Sequence, residues 1–427
     1  MTIHVVRPGD SIYSVALDYG VPMSQIIGDN ALPDASKLVI GQTLVVRFPQ
    51  QTHTVRPGET LSSIAAHYGL TLRQIWRNNP VLQGLDKIYP GQTLVTFYRD
   101  EGVKPTLSVN GYAYPFIDKP LLQRTLPYLT NLTPFTYGIY SDGSLVSLED
   151  ETLIQMAIDG GVAPLMHLST LTDEGGFSNE LASAVLNDAA VRSRLLDNVV
   201  TTIIEKSYRG LDIDFEFVFP EDAAAYAAFI GELSARLNPL GFPVIAALAP
   251  KTSATQPGLL YEGHDYRAIG KAANQVLLMT YEWGYTYGPA LPVAPLPNVR
   301  RVVEYALTEI PAEKIWLGIP NYGYDWTLPF EKGVSKATSI SNQYAVELAW
   351  RYGAEIRYDE LAQSPWFRYY DESQREHEVW FEDARSILAK LALVPEYHLY
   401  GVGYWNLMRP FPQNLRVLSS DYEIRDF

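Results

Sequence analysis

The chain opens on a short alternating stretch, followed by apolar residues at helical spacing. Ile12, Val15, Ala16 and Tyr19 recur at intervals of three and four, as do Leu61, Ile64, Ala65 and Tyr68. That interval marks one face of a helix. Pro8-Gly9 and Pro57-Gly58 predict a turn before each helix, and Asp10-Ser11 and Glu59-Thr60 stand where helix caps belong. A second short helix runs to Asn30 or Asn79, and a loop then leads to a Gly-Gln-Thr-Leu-Val strand at 41–45 or 91–95. Each unit therefore reads strand, helix, helix, strand. The two units are one repeat: His4-Val5-Val6-Arg7-Pro8-Gly9 returns as His53-Thr54-Val55-Arg56-Pro57-Gly58, 49 residues on. The offset becomes 50 at the closing strand, as one inserted loop residue requires.

From about residue 104 the pattern changes. Short apolar runs alternate with amphipathic stretches, which predicts βα units and a parallel sheet. The expected strands are 107–112, 135–140, 163–167, 211–216, 244–248, 275–281, 315–320 and 400–405, with helices between them such as 188–206 and 221–237. Eight such units predict an α/β chain with a closed (β/α)8 TIM barrel. The competing doubly wound open sheet calls for a Gly-rich phosphate loop after the first strand, and none is present. Residues 323–382 carry Tyr, Trp and charge without one helical period, which predicts a small α+β insertion. Asp383 is expected to start the helix that includes Ile387 and Leu391.

Charge separates the two parts. The 427 residues hold 33 Lys and Arg against 48 Asp and Glu, a net charge of −15. Residues 1–98 hold 7 and 6 of these, so the acidity belongs to the remainder. This argues against a nucleic-acid partner, which needs cations to neutralise phosphates. Cysteine is absent, which excludes disulfides, zinc-thiolate sites and a thiol nucleophile. No apolar run reaches the roughly 18 residues of a membrane span. The start, Met1-Thr2-Ile3-His4-Val5-Val6-Arg7, has no basic-then-apolar leader, so no secretory signal is expected. Nothing in the repeats reads as a symmetric interface, and no obligate protein partner is expected.

The most informative segment is Tyr208-Arg209-Gly210-Leu211-Asp212-Ile213-Asp214-Phe215-Glu216-Phe217. Side chains alternate across a strand. Asp212, Asp214 and Glu216 thus share one face, and Leu211, Ile213, Phe215 and Phe217 share the other. The apolar set suits outer helices, leaving the acids inside the barrel with Glu216 at the C-terminal mouth, where barrel active sites sit. Burial and neighbouring negative charge both raise carboxyl pKa values, which is how a Glu keeps its proton near neutral pH as a general acid. No nearby His supports a transition metal, and no metal or cofactor is expected. Arg209, at the deep end, is expected to moderate the buried charge.

The repeats resemble the LysM module over 2–47 and 52–97, giving modules at 1–48 and 52–98 ahead of a barrel at 102–427. The resemblance implies binding of N-acetylglucosamine chains, in peptidoglycan or chitin, through Gly9, Asp10, Ser11, Ile12 and Asn30, and through Gly58, Glu59, Thr60, Leu61, Asn79 and Pro80. The acidic strand resembles the glycoside hydrolase family 18 signature Asp-x-x-Asp-x-Asp-x-Glu, with Arg209 in place of the first Asp. This implies Glu216 as general acid, Asp214 as the residue orienting the substrate acetamido group, and Asp212 tuning Asp214. The acetamido oxygen is then the nucleophile, and configuration is retained. Met279-Thr280-Tyr281-Glu282 resembles the family's Met-x-Tyr-Asp, implying that Tyr281 donates to the acetamide; Glu282 stands where Asp is usual. Gly401-Val402-Gly403-Tyr404-Trp405 resembles its eighth-strand motif, whose Trp floors a sugar subsite. Asn110, Tyr112, Asn321 and Tyr322 are weaker candidates, and His167 faces either the site or the core. The arrangement is similar to bacterial spore-cortex-lytic N-acetylglucosaminidases, which implies a spore-associated enzyme, deposited by the mother cell, acting on cortex peptidoglycan. A chitinase is the nearest alternative, and a non-catalytic glycan-binding protein a further one.

Overall fold

In both N-terminal repeats a side-chain hydroxyl starts the first helix. Ser11 Oγ accepts from the Ser14 N–H, and Thr60 Oγ1 from the Ser63 N–H, each at 3.1 Å. Each third-residue serine answers by accepting the cap residue's own N–H, so two otherwise orphaned donors are satisfied reciprocally. The first repeat consists of β1 (Thr2–Val5), helices Ile12–Tyr19 and Met23–Asn30, and β2 (Thr43–Val46); the second consists of β3 (Pro49–Thr54), helices Leu61–Tyr68 and Leu72–Asn78, and β4 (Thr93–Tyr98). Each strand pair is antiparallel. Ile12, Val15, Ile26 and Leu44 form the first small core, and Leu61, Ile64, Ile75 and Leu94 the second. The computed structural model describes residues 1–99, 102–172 and 175–427.

The barrel strands are β5 (Thr106–Ala113), β6 (Asn131–Pro134), β7 (Ala163–Pro164), β8 (Met166–Ser169), β9 (Leu211–Asp214), β10 (Val244–Leu248), β11 (Gln275–Leu278) and β12 (Ile315–Pro320). After an insertion built on β13 (Gly323–Thr327), β14 (Thr338–Ile340), β15 (Arg357–Asp359), β16 (Ser364–Tyr370) and β17 (Glu376–Trp380), β18 (Gly401–Trp405) completes the barrel, and β19 (Glu423–Ile424) pairs with β5. Among the described residues the parallel path runs β7-β6-β5-β18-β12-β11-β10-β9-β8. Its two ends, β7 and β8, are one run divided at Leu165, so the sheet closes to within a residue. Tyr112, Leu165, Ile245, Leu277 and Trp316 fill the interior, as a small barrel requires. Outside, Leu211, Ile213 and Phe215 pack with Tyr226 and Phe229 of helix Ala223–Leu237.

Four strands differ from expectation by more than a residue; the third, expected at 163–167, is broken at Leu165 and runs on to Ser169. The second lies at Asn131–Pro134, not 135–140. The 135–140 run instead lies beyond the strand's C-terminal end, where Phe135 turns into the barrel interior. The fourth stops at Asp214 rather than 216, and the sixth at Leu278 rather than 281. In each, the last candidate residue, Glu216 or Tyr281, leaves the ladder for the loop at the mouth.

The insertion is a five-stranded antiparallel sheet in the order β14-β13-β17-β16-β15, with helix Asn342–Arg351. Asp383 caps the following helix, Ala384–Leu391, accepting from the Arg385 and Ser386 N–H groups.

Both repeats are docked on the barrel by buried polar contacts. Arg73 donates to the Gly161 carbonyl at 3.1 Å and to the Leu129 carbonyl. Gln413 donates to the Thr43 carbonyl at 2.6 Å and to Asn30 Oδ1 at 3.0 Å. Asp29 is ion-paired with Arg47, and Arg416 Nε lies 3.8 Å from Asp29. The Ile356 N–H of the insertion donates to the Ile40 carbonyl at 2.9 Å. Gly41 makes that last contact possible: its φ is +86°, and a Cβ there would lie 1.8 Å from the Ile356 carbonyl oxygen.

Candidate active site

Strand β9 carries Asp212 and Asp214 into the barrel interior, where both are buried, and Glu216 follows half-buried at the mouth. The Tyr112 hydroxyl on β5 donates to Asp212 Oδ2 at 2.5 Å. Asp212 Oδ1 and Asp214 Oδ1 have no hydrogen-bond partner. Burial therefore dominates over solvation. It pushes the Asp212 carboxyl up to about 7, against the opposing Tyr112 hydrogen bond. Burial, then the charges of Glu216 and Asp212, raise Asp214 well above the carboxylate range. Burial, then the charge of Glu282, push Glu216 up to about 7. Two of the three groups thus titrate near neutrality, as proton transfer at working pH requires.

His167 on β8 stands beside them, its Nε2 3.8 Å from Asp214 Oδ2 and its Nδ1 2.6 Å from Thr136 Oγ1. Complete burial lowers it to about 3, so it is a neutral partner and not a counter-charge. Arg209 supplies no counter-charge either. It shares the outward parity of Leu211 and Ile213 and is exposed to solvent. The acids consequently face one another without a compensating cation at that position.

Tyr281 follows β11. Burial and the charges of Asp214 and Glu216 hold its hydroxyl well above its usual range, so it remains a proton donor. Its ring reaches the site because Gly318 on β12 has no side chain; a Cβ there would lie 2.9 Å from Tyr281 Cε1. Glu282 reaches solvent, in a left-handed backbone at φ 68°. It accepts from the Tyr322 hydroxyl and, at 3.1 Å, from that of Tyr324. Met279 is half-buried. Trp405, half-buried at the end of β18, meets Phe135, Tyr112 and Tyr114 edge-on, with ring centroids 4.8, 5.7 and 6.2 Å away.

Other candidates are occupied by the fold. Asn110 is buried and accepts from Thr133. Asn321 donates to the Asn406 and Arg409 carbonyls. Tyr114, Phe135 and Tyr324 escaped sequence reasoning; the Asn-Tyr-Gly-Tyr alternation after β12 was the available signal for Tyr324.

In the repeats, Asp10 and Glu59 sit one residue before the caps and pair with His4 and His53 at 2.9 and 2.8 Å. Ile12 and Leu61 lie in the small cores. Asn30 and Asn79 spend their amides tying a helix to the closing strand through Val45 and Val95. Pro80 opens a single 3-10 turn. The side chains of Ile12, Leu61, Asn30 and Asn79 are therefore structural, leaving the turns Gly9–Ser11 and Gly58–Thr60 as the open surface. Among the described residues no group of His, Asp and Glu is placed to hold a metal ion, and no helix is long and apolar enough to cross a membrane.

The description "Glycosyl hydrolases family 18" matches residues 166–409, more than half of the chain and every strand from β8 to β18. The chain belongs to glycosyl hydrolase family 18. Within this glycosidase family, the matched segment contains the acidic strand, Tyr281 and Trp405. LysM domains match residues 4–47 and 53–96, which adds carbohydrate-binding repeats to the hydrolase. The chain is 41% identical to the cortical fragment-lytic enzyme of Bacillus subtilis (strain 168), over 99% of both chains. The crystal structure of the Bacillus megaterium QM B1551 spore cortex-lytic enzyme SleL superposes with a TM-score of 0.85 at 40% identity, covering 100% of this chain and 99% of that one. That of the Bacillus cereus spore cortex-lytic enzyme SleL gives 0.84 at 36% identity, covering 100% and 99%.

Proposed function

We propose that this family 18 enzyme cleaves β-1,4 bonds after N-acetylglucosamine in peptidoglycan, with spore cortex as its polymer and the spore as its location. Likeness to cortex-lytic enzymes along the whole chain, LysM repeats and insertion included, supports cortex over chitin.

The observation that carries the chemistry is the inward register of Asp212 and Asp214 on β9, with Glu216 following beyond the strand's end at the mouth and its carboxyl raised to about 7. In this reading Glu216 gives its proton to the glycosidic oxygen as the bond to the anomeric carbon breaks. The substrate's own acetamido oxygen attacks that carbon from the opposite face, so no protein nucleophile is consumed. Asp214 holds the acetamido N–H, Tyr281 donates to its oxygen, and Asp212 sets the charge on Asp214. Water then opens the cyclic intermediate as Glu216 takes the proton back, and two inversions leave the configuration retained. Trp405 floors the subsite with an apolar ring. Glu282 lines it with Tyr322 behind, and Tyr112 and Met279 complete the wall. Modules 1–48 and 52–98 hold the polymer for the barrel at 102–427 through the turns Gly9–Ser11 and Gly58–Thr60.

The test is release of new reducing ends from cortex fragments, cell-wall peptidoglycan and chitin by wild type and Glu216→Gln. Loss of about 10²–10⁴-fold in the variant, the usual worth of a general acid, is expected. Near-wild-type turnover by Glu216→Gln, or rapid hydrolysis of a glucoside lacking the acetamide, would refute the assignment. Mass spectrometry of the products separates cortex from chitin and identifies the bond cut.

A further inference from the structure

A catalytic side chain has to be held to within about half an ångström of its working place, yet Glu216 lies beyond the last paired residue of its strand. On the β8 side β9 ends at Asp214, opposite Ser169; on the β10 side its last pair is Ile213 with Ala246. The Leu211 N–H donates to the Pro243 carbonyl at 2.9 Å. Bonds along a parallel ladder are evenly spaced and recur at every second residue. In this register Phe215 would therefore donate to the Ala247 carbonyl and accept from the Ala249 N–H.

Two side chains stand in those places instead. The His264 imidazole lies between the groups of the second rung: its Nδ1 accepts from the Ala249 N–H at 3.0 Å, and its Nε2 is 2.9 Å from the Phe215 carbonyl oxygen. A carbonyl only accepts, so Nε2 carries the proton and one tautomer satisfies both bonds. Burial lowers His264 to about 4, which keeps the ring neutral. The Tyr226 hydroxyl accepts from the Phe215 N–H at 3.4 Å, and the two rings stack with centroids 5.3 Å apart. His264 is itself held, because its carbonyl accepts from the buried Lys251 Nζ at 2.9 Å. Gly263 beside it permits the close approach: a Cβ there would lie 2.2 Å from the Val218 carbonyl oxygen. Residue 215 is thus fixed through its N–H, its ring and its carbonyl, and the next residue is Glu216.

We infer that His264 is a positioning residue: its imidazole replaces a rung between β9 and β10 and so sets where Glu216 presents its carboxyl, with Tyr226 as the second anchor. The inference rests on Glu216 as the acid. The inserted ring also parts the two strands at the mouth, which frees Glu216 from the ladder without freeing its backbone.

The experiment measures kcat, KM and melting temperature for the full chain and its variants on a soluble N-acetylglucosamine oligosaccharide. His264→Asn places an amide where Nδ1 stood, keeping the acceptor for Ala249 and losing the reach to Phe215. His264→Gln carries an N–H to the place of Nε2. His264→Asn should lose about tenfold to a hundredfold in kcat, as a misplacement of about 1 Å does, with KM held within about twofold. His264→Gln should recover to within about threefold of wild type. A residue serving the fold alone would move melting temperatures and leave kcat per folded molecule in place. A kcat for His264→Asn within about twofold of wild type, an equal fall in His264→Gln, or a change confined to KM overturns the inference. If His264→Asn does not fold, Tyr226→Phe decides: loss of the hydroxyl that meets the Phe215 N–H should lower kcat by about threefold or more, and an unchanged kcat overturns the inference. Glu216→Gln keeps the two readings apart. Near-wild-type turnover by that variant refutes the acid assignment, whereas its inactivity beside an unaffected His264→Asn overturns the positioning role alone.

Discussion

Replacing Glu282 by Gln removes a negative charge beside the proposed acid while keeping a group that accepts from Tyr322 and Tyr324. Glu216 is raised from 4.5 to about 7 by burial first and by Glu282 second. The smaller of two contributions to a rise of about 2.5 supplies at most about 1.2 pH units, or about 1.6 kcal/mol at 1.36 kcal/mol per unit. A general acid works protonated, so kcat/KM falls as pH rises through its pKa in the free enzyme. The alkaline limb of the Glu282→Gln profile should therefore move to lower pH, by a few tenths of a unit to about 1.2. Glu282→Asp, which keeps the charge, should leave most of that limb in place. The assay is initial-rate kcat/KM against pH on a soluble oligosaccharide, at low salt to limit screening. An unmoved limb in Glu282→Gln, or one moved upward, would refute the coupling between the two carboxylates.

Asp212→Asn should trade activity for stability. A carboxyl raised from 3.8 to about 7 keeps its proton in the folded chain when the unfolded chain has lost it. Its contribution is therefore fully present below pH 4 and is lost as pH rises to 7. Above pH 7 the neutral variant should be more stable by up to about 4 kcal/mol in urea unfolding, and an equal or lower stability at pH 8 would contradict this. Asp29→Ala leaves Arg47 buried without its partner and should cost about 3–5 kcal/mol; a loss below about 1 kcal/mol, the range of surface changes, would show the pair to be dispensable.

Where function and periodicity coincide, the sequence was readable. On β9 the two-residue alternation alone placed Asp212 and Asp214 inward, and the continuous apolar runs of β10 and β12 matched their expected bounds residue for residue. The second strand was missed because Asn131–Pro134 contains Asn, Thr and Pro, while the more apolar 135–140 run lies beyond it at the mouth. The outward path of Arg209 was implicit in the same alternation that placed the acids. The docking residues were illegible for another reason. Arg73 and Arg77 lie on a short helix and read there as solvated charge; only the barrel carbonyls they meet make them buried. Likewise Gly41 reads as the start of the closing strand, and its need for close approach comes from Ile356, more than 300 residues away in the chain.

The docking of the repeats on the barrel bears on how a polymer is handled. Modules on free tethers search a volume and raise local concentration by reach. Here, Arg73, Gln413 and the Ile40–Ile356 contact fix the first grip relative to the catalytic strand as part of folding itself. The orientational entropy of delivery is then lost once, when the chain folds, and not at each encounter. On the proposed reading, a sugar strand gripped by the repeats would arrive with one polarity and one phase, and the fixed spacing between grip and acid would act as a ruler on the fragments released.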